Sequence, residues 1–128
     1  MTRGERFVAQ LPEKTYFHDR NERRGYEVTR LVAARLIDHP ELVQHGRAYM
    51  ERHMKTDPSQ RAYYRMWQHL LRHDIGKVVR DLLEDSDKGS LLRDTQPVFY
   101  VPSAEERQAI STRPKVSLIA PVAIGRDP

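Results

Sequence analysis

The sequence contains no cysteine. Disulfides, thiolate nucleophiles and Cys-based zinc sites are therefore excluded, and a reducing compartment fits. Nowhere do 18 apolar residues run consecutively, so no stretch reads as a membrane-spanning helix. The opening MTRGERFVAQLPEK has no apolar run long enough for a secretory signal. A cytoplasmic protein without membrane contact is the expectation. No G-x-S-x-G occurs, and Gly76-Lys77 lacks the glycine loop of a phosphate cradle. Neither catalytic residues, nor a metal, nor a cofactor are therefore expected.

What is present suits one domain: 128 residues, 38% hydrophobic and 31% charged, too apolar for full disorder. The net charge of +4 is uneven. Residues 1–72 hold 14 basic and 9 acidic residues, residues 73–128 hold 8 and 9. Most basic residues are Arg, interleaved with acids, as on a solvated helical surface. The densest basic spot is DRNERR, with Arg20, Arg23 and Arg24, followed by Arg30. Those four arginines are the candidates for nucleic-acid contact, weighed against an ordinary solvated helix start.

The periodicity predicts an all-α fold, a small bundle of four to six helices with an extended C-terminal tail. Residues 1–18 lack a sustained period and read as a loose arm anchored by Phe7, Leu11, Tyr16 and Phe17. The helical domain spans 19–110. Val28, Leu31, Val32 and Leu36 mark a helix over 21–37. DHPEL starts the next, with Asp38 or His39 as N-cap and Pro40 in the first turn. Its inward face holds Leu42, Val43, Gly46, Tyr49, Met50, His53 and Met54. TDPSQ repeats the signal: Asp57 caps, Pro58 opens, and Ala62, Tyr63, Met66, Trp67, Leu70 and Leu71 follow. Tyr63, Tyr64 and Trp67 could stack bases, but at this spacing Tyr63 and Trp67 read as core. The stripe runs on through Ile75, Val78, Val79, Leu82 and Leu83. A 28-residue helix over 58–85 would be unusually long, so a break near residues 73–76 is expected, with Asp74 as a new cap.

Leu91 and Leu92 mark a short helix, VFYV a β-prone run, and Ser103 with Glu106 a capping box opening a helix to Ile110. The tail, 111–128, carries Val116, Leu118, Ile119, Val122 and Ile124 among prolines that forbid a regular helix. Those five apolar side chains need cover and are the candidate partner-binding residues.

Two resemblances bear on function. His73-Asp74-Ile75-Gly76-Lys77 resembles the metal-binding signature of HD-domain phosphohydrolases. That resemblance implies His73 and Asp74 as ligands, with His39, His45 or His53 upstream and a distant downstream Asp. Asp81 lies about 10 Å from Asp74 along one helix, too far for one ion held at about 2 Å. Asp85 is farther, and the match is read as coincidence. His69 and His73, four apart, make at most half a site. From about Arg24 to Ile110 the sequence resembles small helical bacterial proteins of toxin–antitoxin-type operons. YEVTRLVAARL, HPELVQHGR, MWQHLL, VVRDLLEDSDKGSLLRDTQP and PSAEER carry the likeness. It implies a non-enzymatic binding module whose partner is another protein, such as a toxin, or a second copy. Nucleic-acid binding and metal-dependent phosphohydrolysis are the alternatives.

Overall fold

Side-chain caps set most of the helix starts. The computed structural model describes residues 1–112, and within them the order is α1 (Arg3–Ala9), α2 (Arg20–Asp38), a 3-10 turn (Pro40–Leu42), α3 (Val43–His53), α4 (Arg61–Leu70), α5 (Ile75–Leu83), α6 (Asp87–Thr95) and α7 (Ala104–Ser111). Asp19 accepts from the Glu22 amide at 2.9 Å and Ser86 from the Gly89 amide at 3.0 Å, each filling an orphan donor of a first turn. Ser103 and Glu106 form the expected capping box at α7. Asp74 accepts from the Lys77 amide at 3.2 Å and opens α5, so the long apolar stripe is indeed two helices.

Several boundaries differ from expectation. Asp38 ends α2, His39 makes no side-chain cap bond, and Pro40 opens a 3-10 turn that delays α3 to Val43. Residues 3–9 are helix and not a loose arm, which brings the described residues to seven α-helices. Thr2 and Glu5 make a second capping box there, with amide-to-side-chain distances of 3.0 and 2.8 Å. Pro58 does not open α4. Asp57 spends its carboxylate on the Ser59 amide and hydroxyl, at 2.9 and 2.8 Å, which closes a turn and delays the helix to Arg61. The VFYV run forms no strand. It belongs to an irregular strap, residues 97–102, with Pro97, Phe99 and Pro102 buried along it.

The core sits around α2, which touches α1, the 3-10 turn, α5, α6 and α7. Val32, Ala33, Leu36 and Ile37 meet Val78, Val79, Leu82 and Leu83 in one cluster with Met50, Met54, Trp67 and Phe99. Of the residues predicted inside, Met50, Trp67, Leu70, Val78, Val79 and Leu82 are buried, while Leu42, Tyr49 and Met66 pack half-buried against them. Leu31 lies outside the cluster, half-buried beside Ala34 and Ile110. His53, the last residue of α3, is exposed, and so is Ala62, because the inward face of α4 is centred on Tyr64, Trp67 and Leu70. No described helix is long and apolar enough to cross a membrane.

Two glycines permit close approach. A Cβ on Gly4 would lie 1.9 Å from the Ala34 carbonyl oxygen, so α1 rests directly on the backbone of α2. The Gly4 amide also donates to Asp38 at 2.7 Å. A Cβ on Gly46 would lie 2.3 Å from the Phe99 ring. Phe99 in turn meets the Trp67 ring at 5.8 Å, and the indole N–H donates to Thr95 at 3.0 Å.

Trp67→Ala should therefore destabilise the domain by about 3–5 kcal/mol, read from urea unfolding. Gly46→Ala should cost about 1–3 kcal/mol by overpacking. An unchanged unfolding midpoint in either variant would contradict this packing.

Candidate interaction surface

A trough runs along α2 between α6 and the strap. Its wider part, about 790 Å³, is bordered by His18, Arg24, Tyr26, Val28, Thr29 and Arg93 among others. The adjoining part, about 280 Å³, shares Val28, Thr29 and Gln96 with it and runs on under Val98, Tyr100 and Val101. Tyr26 and Thr29 are buried members of α2 and form the floor.

The walls are fixed by hydrogen bonds to groups that would otherwise be orphaned. Arg93 on α6 donates to the carbonyls of Leu82 at 3.0 Å and Glu84 at 2.9 Å, capping the end of α5. Its guanidinium lies 5.1 Å over the Tyr26 ring. Tyr26 accepts from the Lys14 amide at 3.1 Å and donates to the Leu83 carbonyl at 3.4 Å. Gln96 donates to the Thr29 hydroxyl at 3.0 Å, and Thr29 donates to the Gly25 carbonyl at 2.9 Å. The strap meanwhile turns Phe99 inward and leaves Val98 and Val101 outward, 43% and 68% exposed.

One carboxylate holds the strap. Glu106 accepts from the Ser103 amide and the Tyr100 hydroxyl, both at 2.8 Å, and from Arg35 of α2 at 2.6 Å. The Ser103 amide above all, with Arg35 and Tyr100, lowers its pKa from 4.5 to about 2 against the opposing effect of burial. Arg35 is correspondingly raised by Glu106 and Tyr100. The other displaced groups also have structural partners. Asp38 is lowered by hydrogen bonds from the Thr2 hydroxyl and the Gly4 amide. Glu51 is lowered by Tyr64 and Lys55, and Tyr64 is raised by Glu51.

The arginines predicted as one patch divide. Arg20 and Arg24 are exposed near the start of α2. Arg23 is not a surface residue: it is 5% exposed, and Ile110 and Ser111 at the end of α7 share a small cavity with it. Arg30 lies 3.2 Å from Glu13 and 4.0 Å from Glu27, so its charge is already answered and it does not join the others. Val116, Leu118, Ile119, Val122 and Ile124 lie outside the described residues. Ser111, expected as the first tail residue, closes α7, and Thr112 is its C-cap.

HDIGK closes the α4–α5 turn with His73 and Asp74 and begins α5 with Ile75. Asp74 caps α5, and Asp81 is held by Lys77 at 3.1 Å and Lys88 at 3.4 Å. His69 and His73 meet edge-on with ring centroids 5.5 Å apart. Among the described residues no three His, Asp or Glu side chains are grouped as metal ligands would be. Trp67 is core as expected, Tyr63 packs half-buried against the core, and Tyr64 is buried with its hydroxyl on Glu51. The trough and the Arg35–Glu106 tie escaped the sequence reading. A residue's partner 71 positions away leaves no local pattern.

No protein-family model, no curated protein and no solved structure matches this chain.

The folded value of Glu106 is depressed, so its stabilisation is complete above about pH 4.5 and is lost as pH falls towards about 2. Glu106→Gln should lower stability by roughly 1–3 kcal/mol near neutrality. Melting temperatures of variant and parent should converge in acid; parallel curves down to that limit would refute the tie. Asp74→Ala should cost about 1 kcal/mol, as loss of a helix cap does. Metal analysis should find no stoichiometric transition metal in the parent or in His73→Ala.

Proposed function

We propose that this chain is a non-enzymatic helical binding module of the antitoxin type that engages another protein. The observation that carries the reading is the strap. Two large apolar side chains, Val98 and Val101, stand exposed on the strap beside the narrower part of the trough, about 280 Å³. Apolar side chains left in water favour burial against a second surface. Arg24 borders both the trough and the cavity beside Ser111, so the chain leaves α7 at one end of the trough. Val116, Leu118, Ile119, Val122 and Ile124, apolar in sequence, are the further candidates for partner contact in this reading.

Further support comes from where the displaced ionisable groups sit. Catalytic groups are commonly tuned by their surroundings, but here Asp38, Glu51, Tyr64 and Glu106 owe their shifts to contacts that pin helices and the strap. The likeness of YEVTRLVAARL and PSAEER to proteins of toxin–antitoxin-type operons supports the partner class. A toxin encoded by an adjacent gene is the partner this reading names, and the cytoplasm is the compartment.

The test is co-purification with the product of the adjoining gene, with light scattering to register self-association. Deleting 114–128 should abolish the complex and leave the melting temperature of the helical domain unchanged. Val98→Asp with Val101→Asp should weaken binding at least about tenfold. Loss of fold on truncation would make the tail an intramolecular element. A complex that survives both changes would remove this surface from consideration.

A further inference from the structure

The first turns of α2 carry charge that no described residue answers. Arg20, Arg23 and Arg24 stand at i, i+3 and i+4, on one face of the helix. Together with Ile110 and Ser111 they line a cavity of about 60 Å³. None of the three makes an ion pair among the described residues, and no carboxylate is among the described residues lining the cavity. Elsewhere the arginines that meet the core are matched. Arg30 has Glu13, Arg35 has Glu106, Arg47 donates to the Leu71 carbonyl at 3.0 Å, and Arg93 has two carbonyls.

Arg23 is the decisive residue. It is 5% exposed, and its Nε finds no hydrogen-bond partner among the described residues. A guanidinium cannot lose its proton to escape burial, so an unanswered one is costly to the folded state. Buried unpaired donors are rare, and the usual remedy is a ligand or an ordered water. The α2 amides are not the lure, since Asp19 already accepts from the Glu22 amide. The acid one turn on, Glu27, lies 4.0 Å from Arg30.

We infer that Arg20, Arg23 and Arg24, with the Ser111 hydroxyl, form an oxyanion site that takes a phosphate group. At about 60 Å³ the cavity has room for ordered water or a small tetrahedral anion. Guanidinium forks match phosphate oxygens in pairs, and three of them suit a dianion better than a single carboxylate. Arg23 would hold the deepest oxygen from the closed side, while the exposed Arg20 and Arg24 close over the remaining ones. This site is independent of the protein-binding reading. The phosphate belongs either to a free ion or small phosphomonoester, or to the backbone of a nucleic acid.

The test uses the full chain in phosphate-free buffer, titrated with inorganic phosphate, with acetate at matched ionic strength as control. Phosphate should raise the melting temperature saturably and acetate should not. Arg23→Met should raise the melting temperature without anion, because it removes an unpaired buried charge, and should abolish the phosphate response. Arg20→Gln with Arg24→Gln, both at exposed positions, should weaken phosphate binding at least about tenfold while the helical fold is retained. This second variant decides the matter if Arg23→Met does not fold. A short DNA duplex distinguishes the sources. Binding that phosphate displaces, and that the same variants lose, assigns the site to a nucleic-acid backbone; phosphate binding without duplex binding assigns it to free phosphate or a monoester. Equal responses to acetate and phosphate, or variants that respond like the parent, would overturn the site.

Discussion

A 19-residue helix that contacts neighbours on several sides beyond its first two turns constrains everything else in this protein. One face of α2 offers Ala34, small enough for α1 to settle on the backbone at Gly4. Another offers Val32, Leu36 and Ile37 to the core it shares with α5. Its two ends are capped by different means, Asp19 at the start and the packing of the 3-10 turn at the finish. With α2 surrounded in this way, the strap and α6 can only lie along the strip between those faces. The trough is the space they leave above Val28 and Thr29.

Much of this frame was legible because it is local. Asp74 and Ser103 announce helix starts within four residues, and the stripe through Trp67, Leu70, Val78 and Leu82 has a period that needs no partner to be recognised. What escaped is what depends on distance along the chain. The seven residues of α1 are too short to establish a period, and the Thr2–Glu5 box gains meaning only when Gly4 finds Ala34. Arg23 and Arg30 look alike in the sequence, yet α7 encloses the first and Glu13 neutralises the second.

The same division runs through the candidate sites. HDIGK looked chemical because of its residue types, and the structure uses it as a turn whose aspartate serves the backbone. The basic cluster looked like an even surface patch, and the structure sorts it by depth into one enclosed and two exposed cations. Residue type states what a side chain is able to do. Burial and partners decide which of those capacities is left over for another molecule.

The attachment of the strap implies a hierarchy of amide protection. Residues 97–102 take no part in a helical ladder, and their outer side is tied down through Tyr100 and the single Glu106 carboxylate. Opening there exposes Phe99 and frees a short loop, whereas opening α4 or α5 dismantles the cluster around Trp67. Local fluctuations of the first kind require far less free energy than global unfolding. Deuterium would thus enter at Val98 and Val101 long before it reaches Val79 or Leu82. The rim of the trough is a separately breathing unit on a slowly exchanging base.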